Sequence, residues 1–174
     1  MKINKIILVA VMVMSGWMAS AQSQFDKFED IEGVTSVVVT QKAFSLMSKI
    51  GSESDDEYMD LIKNIESLRV FATESAEVAV QMQKAATSYL KSANLEKLMT
   101  VKDGGSNVTI YVKEGKSEDF VKELFMFVKD GDSSSNESVI ISLTGDIDLN
   151  QIAKLTDKMD LPGGEHLEKA SKNK

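Results

Sequence analysis

The chain has 174 residues, 27 acidic against 20 basic side chains, a formal net charge of −7, one His, one Pro and no Cys. With 43% hydrophobic and 27% charged residues it has the make-up of a globular protein, and its length suits one core rather than two. The lack of Cys excludes disulfides, thiolate metal sites, iron–sulfur clusters and cysteine nucleophiles, and the lone His166 excludes a His-rich metal site.

The first 21 residues have the pattern of an export signal. Lys2 and Lys5 make a basic start, and residues 6–13 form an apolar run extended through Met14 and Trp17. Ala19-Ser20-Ala21 supplies the small residues for cleavage after Ala21. The apolar stretch is shorter than the roughly 20 residues that span a bilayer, and Ser15 and Gly16 interrupt it. A lipid anchor would need a Cys at the new N-terminus. Loss of two lysines and no acid takes the charge from −7 to −9. Arg69 is then the only arginine. Scarce arginine counts against anionic ligands, and the negative charge counts against nucleic acid.

Residues 22–32 are polar apart from Phe25, Phe28 and Ile31, whose spacing predicts a short helical turn ended by Gly33. Val34–Thr40 is β-branched and reads as a strand buried on both faces around Val37-Val38-Val39. Phe44, Met47 and Ile50 recur at helical spacing in the next segment. Residues 52–57 form an acidic polar loop, and 58–65 a second short helix carrying Met59, Ile62 and Ile65. Residues 67–72 alternate as a strand. Thr73 reads as the N-cap of a long helix reaching about Ser92, with Glu74 and Glu77 in its first turn. Its core stripe is Val78, Met82, Ala85 and Tyr89, widened by Ala79, Ala86 and Leu90.

The second half reads as a β-meander. Residues 95–102 and 107–113 make a hairpin about the turn Asp103-Gly104-Gly105. Residues 120–129 suit either a helix starting at Ser117 or a buried strand; a strand from about Glu123 fits the turn signals that follow. Residues 139–143 (VIISL) are the last strand, ended by Gly145. Asp148, with Gln151 three residues on, has a capping-box pattern for a final helix burying Leu149, Ile152, Leu155 and Met159. The order predicts an α+β fold: a mainly antiparallel sheet with helices packed on one face. Residues 1–21 are then the signal peptide, 22–160 one α+β domain, and 161–174 a flexible charged C-terminal tail.

Candidate chemistry is sparse. Asp146, Asp148 and Asn150 resemble the start of a calcium loop, but Gln151 stands where the loop needs Gly and Asp157 where it needs Glu. A strand end followed by an Asp-capped helix accounts for them. Glu53, Asp55, Asp56 and Glu57 read as a solvated acidic loop. His166 lies beyond Pro162 beside the tail, a poor place for a triad base that must be held rigidly. Asn107-Val108-Thr109 and Asn136-Glu137-Ser138 fit the glycosylation sequon, a short and frequent motif. Met47, Met82, Met99, Met126 and Met159 fall on apolar faces and read as core filling. No catalytic, cofactor-binding or metal-binding residue is expected.

Four stretches together carry a family resemblance. They are Gly33-Val34-Thr35-Ser36-Val37 leading into residues 42–47, residues 65–71, residues 98–102 with 108–111, and residues 139–149. In order and over nearly all of the mature chain, the sequence resembles the secreted bacterial family known as domain of unknown function 4252. The resemblance implies a short exported protein of the Gram-negative envelope, periplasmic or secreted, in a setting of envelope signalling or stress. It implies no activity and no catalytic residues. The expected function is a non-catalytic binding module with an envelope protein partner, no nucleic acid partner and no membrane span after signal removal. The sequence leaves the oligomeric state open. The alternative is a carboxylate-dependent hydrolase using Asp146 and Asp148 at the mouth of the last strand.

Expressed with its export signal in a Gram-negative host, the protein should be released from the inner membrane with Gln22 as its first residue. Fractionation with intact-mass measurement checks this, and a full-length product held in the membrane contradicts it.

Overall fold

A computed structural model describes residues 24–50, 56–103, 105–130, 137–149 and 151. A 3-10 turn at Asp26–Phe28 precedes β1 (Val34–Thr40), α1 (Gln41–Ile50), α2 (Asp56–Lys63) and β2 (Ile65–Thr73). α3 (Ala76–Ser92), β3 (Glu96–Asp103), β4 (Ser106–Glu114), β5 (Phe120–Asp130) and β6 (Ser138–Asp148) follow. The six strands form one sheet in the order β1-β2-β6-β5-β4-β3, with every neighbouring pair antiparallel. The last four strands are the expected meander, and β2 closes onto β6 from the other side.

Strand alternation sorts the side chains into two cores. Leu68, Val70, Ile110, Met126, Ile141 and Leu143 face one way and are covered in part by Phe44 of α1 and Leu61 and Ile62 of α2. Phe71, Phe125 and Ile140 face the other way, under Val78, Met82, Ala86 and Tyr89 of α3 and the N-terminal Phe25 and Phe28. Phe25 is the keystone of that second core, with ring centroids 5.2 Å from Tyr89 and 5.7 Å from Phe125. Such aromatic pairs contribute about 0.5–1.5 kcal/mol each beyond the area they bury.

The α+β class with a mainly antiparallel sheet is the one expected. The helices, however, lie on both faces. The cause is in β5 and β6, whose residues are apolar at both parities, so each face needs a cover. Several local expectations also change. The second short helix is Asp56–Lys63 rather than 58–65, so Asp56 and Glu57 leave the expected loop for the helix, and Ile65 opens β2, where it pairs with Gly145. β1 is an edge strand rather than one buried on both faces: Val34, Val37 and Val39 are half-buried and Val38 is exposed. Met47 is exposed too, on the outer side of α1. Residues 120–122 belong to β5, because the ladder to β4 and β6 continues there past a bulge. Thr73 does not cap α3: its backbone pairs with Val34 and Ser138 in the ladder. Its hydroxyl instead donates to the Gly33 carbonyl at 2.8 Å and accepts from the Ser75 N–H at 3.2 Å. Ser75 is the cap, extended at φ −73° and ψ 117°.

β6 runs through Gly145 rather than ending there. Gly145 sits at φ +145°, and a Cβ on it would lie 2.2 Å from the Asn64 carbonyl oxygen. The glycine lets the start of β2 approach β6, where the ladder shifts between Ile65 and Ser67. The expected final helix falls outside the described residues, apart from a turn in which Gln151 N–H donates to the Asp148 carbonyl at 3.0 Å.

Gly145→Ala should destabilise the protein by about 1–3 kcal/mol from backbone strain alone, with the clash added. Gly33→Ala, at φ +83° with open space around it, should cost less. Urea unfolding of both variants checks the order; an equal or smaller loss at Gly145 contradicts the close approach.

Candidate functional site

The face under α3 holds the polar chemistry of the core. On β5, Glu123, Phe125, Phe127 and Lys129 share that face; on β4, Asn107, Thr109, Tyr111 and Lys113 do. Glu123 is buried, 6% exposed, and accepts a hydrogen bond from the Tyr89 hydroxyl of α3 at 2.5 Å. Ser142 of β6 donates to the same carboxyl oxygen at 3.5 Å. Burial raises the Glu123 carboxyl above the ordinary range, opposed by the Tyr89 hydrogen bond, Lys113 and Ser142. Burial, then the Glu123 contact, pushes the Tyr89 hydroxyl far above its ordinary value, so it stays a donor. Arg69 of β2 stands opposite Ser142 in register and pairs with Asp26. This row pins α3 and the N-terminal turn to the sheet.

Beyond the row, α3 leaves the outer strands of the same face open. A groove of about 280 Å³ runs between them. Its helix wall is Gln83, Ala86, Thr87 and Leu90. Its floor is Asn107, Thr109, Tyr111, Phe127 and Lys129. Side-chain amides and hydroxyls thus stand beside two aromatic rings and one cation, with the Thr87 hydroxyl donating to the Gln83 carbonyl at 2.8 Å and left to accept. A larger hollow of about 550 Å³ lies at the β1–β2 end, where Glu74 and Glu137 stand beside the first turn of α3.

Of the acids singled out in the sequence, the structure describes the side chains of Asp146 and Asp148. Asp146 lies between Lys116 at 2.8 Å and Lys122 at 3.4 Å. Its carboxyl is held below the ordinary range, chiefly by the Lys116 hydrogen bond. A catalytic acid needs the opposite shift. Asp148 is the last residue of β6, opposite Phe120. Glu53, Asp55, Asn136, Asn150, Asp157, Met159 and His166 lie outside the described residues. Met82 and Met126 are fully buried, and Met99 packs against the first core.

Neither the Tyr89–Glu123 pair nor the groove was singled out from the sequence. A signal for the first was present: Glu123 is the one acid in the apolar run Phe120–Val128, and at strand parity it shares a face with Phe125. The groove has no such signal, because helix and strands meet there only in three dimensions.

An α+β protein built on one antiparallel sheet, with helices on both faces and a groove beside α3, is the class this defines. The chain matches the family model described as "Domain of unknown function (DUF4252)" over residues 28–155 and belongs to that family. No curated protein and no solved structure matches it.

Glu123→Gln isolates the buried carboxyl. The folded protein keeps the Glu123 proton at pH values where the unfolded chain, with an ordinary pKa near 4.3, has released it. The stability contributed is therefore full below that value and is lost as pH rises through the raised one. The amide keeps an acceptor for Tyr89 and has no proton to lose. The unfolding free energy of wild type minus variant should fall as pH rises from about 4. A difference that is flat or rising, measured by denaturant titration across that range, contradicts the assignment.

Proposed function

We propose that the protein is an exported, non-catalytic binding module of the Gram-negative envelope, accessory to the envelope stress response. The groove beside α3 carries the binding part of this reading. It is concave, it joins convergent polar groups to aromatic surface, and rigid elements form both its walls. α3 is anchored by a full apolar stripe and the Tyr89–Glu123 bond, so the groove is pre-organised rather than assembled on contact. The export part rests on residues 1–21, and the stress-response part on the family resemblance. The setting of Asp146 between two lysines weighs against the carboxylate hydrolase.

A photo-crosslinking residue placed at Thr87, exposed on the groove wall, should give a discrete envelope adduct in living cells. The same residue at Val38, exposed on the opposite edge strand, should give none. No adduct from Thr87 across several growth conditions, or the same adduct from both positions, contradicts binding at the groove.

A further inference from the structure

Resting on the binding-module reading, we propose that the groove between α3 and β4–β5 takes an acidic sugar: a pyranose unit of a larger glycan, charged through a carboxylate or a phosphate. The net charge of −7 points away from anions, yet the fold gathers cations here. Lys129 lines the groove. Lys97 and Lys102 of β3 and Lys113 of β4 share its sheet face, by their register with Tyr111, Asn107 and Glu123. Lys84 and Lys91 line a shallow hollow on α3 that shares Gln83 and Thr87 with the groove. Among the described residues, the one acid that β3, β4 and β5 place on this face is Glu123, buried and bonded to Tyr89. α3 carries a single acid, Glu77, in its first turn. Charge is screened over about 10 Å at moderate salt, so this local cluster sets the field in the groove.

The lining chooses among anions. A pyranose presents hydroxyls at its edge and C–H groups on its faces. Gln83, Asn107 and Thr109 can donate to and accept from hydroxyls, and Thr87, whose own proton goes to the Gln83 carbonyl at 2.8 Å, can accept. Tyr111 and Phe127 offer ring surface to the C–H faces. An extended acidic peptide would need a strand edge to pair with. The floor strands offer none there, since β4 is paired to β3 and β5, and β5 to β4 and β6. The groove's one lining cation is a lysine, a point charge suited to a single anionic group rather than to a phosphodiester chain.

The test is an amide NMR titration of the mature protein at low salt. The probes are a galacturonic acid trimer, the neutral galactose trimer, glucose 6-phosphate and poly-Glu. The acidic trimer or the sugar phosphate should shift the amides of Thr87, Asn107, Thr109 and Lys129, the responding one telling carboxylate from phosphate. The neutral trimer should bind roughly ten-fold more weakly, the scale of one charge-assisted hydrogen bond. Lys129→Glu should lose the acidic probe by the same factor or more, and Lys129→Gln by less. Lys42→Glu, on α1, should change nothing. Melting temperatures of all variants separate lost binding from lost folding. Equal binding of neutral and acidic trimers, unchanged binding in Lys129→Glu, or binding of poly-Glu alone overturns the ligand class. If no probe binds but crosslinking at Thr87 still gives an adduct, the acidic-sugar inference is wrong and the binding-module reading stands. If neither occurs, both fall.

Discussion

Burial of β5 and β6 on both faces is the constraint from which the rest of the structure follows. Met126 and Ile141 look into one core, Phe125 and Ile140 into the other, and all four are almost fully buried. A strand pair apolar at both parities cannot sit at the edge of a sheet or leave a face to water. The meander therefore supplies β4 and β3 on one side, and β2 with β1 on the other. The cover is divided between α1 with α2 and α3 with the N-terminal aromatics. At roughly 25 cal/mol per Å² of apolar surface buried, this double layer is the main source of stability, and local propensity refines it.

The polar row within the α3 core follows from the same constraint. Glu123 stands at a parity that faces the helix, so the fold has to satisfy it there. Tyr89 does so with the hydroxyl of a side chain whose ring already belongs to the apolar stripe, set edge-on to Phe25 and tilted against Phe125. Leaving such a carboxyl without a partner would cost more than the bond gains. The same bond fixes the register of α3 over the sheet. α3 is one helix wide, so it covers β2, β6 and part of β5 while β4 and β3 extend past it. The groove is the consequence of six strands lying under one helix. Binding chemistry on such a ledge needs no catalytic constellation, only rigid walls and a consistent charge.

Much of the fold was legible because its signals are local and strong. The alternation of residues 107–113, the β-branched run 139–143 and the stripe Val78, Met82, Ala85, Tyr89 each name their element without reference to the rest. The misreadings share one cause. Thr73, Gly145 and residues 120–122 look like boundaries in the sequence, yet in each case pairing with a neighbour extends the strand. Val38 reads as central because it is apolar, yet among the described residues β1 is the end strand of the sheet. Hydrogen bonds to partners far along the chain outweigh local punctuation.

By itself the sequence determined the α+β class, the meander, the family membership and the lack of Cys beside a single His, since composition and period carry these directly. The tertiary structure alone decided which face each helix covers, that Tyr89 and Glu123 meet across 34 residues of sequence, and that lysines scattered through an acidic chain share one side of the sheet. The physical reason is that charge and cavity belong to surfaces. A net charge of −7 is a sum over the whole chain, whereas a ligand meets only the side chains that strand parity and one helix place within a few ångströms of it.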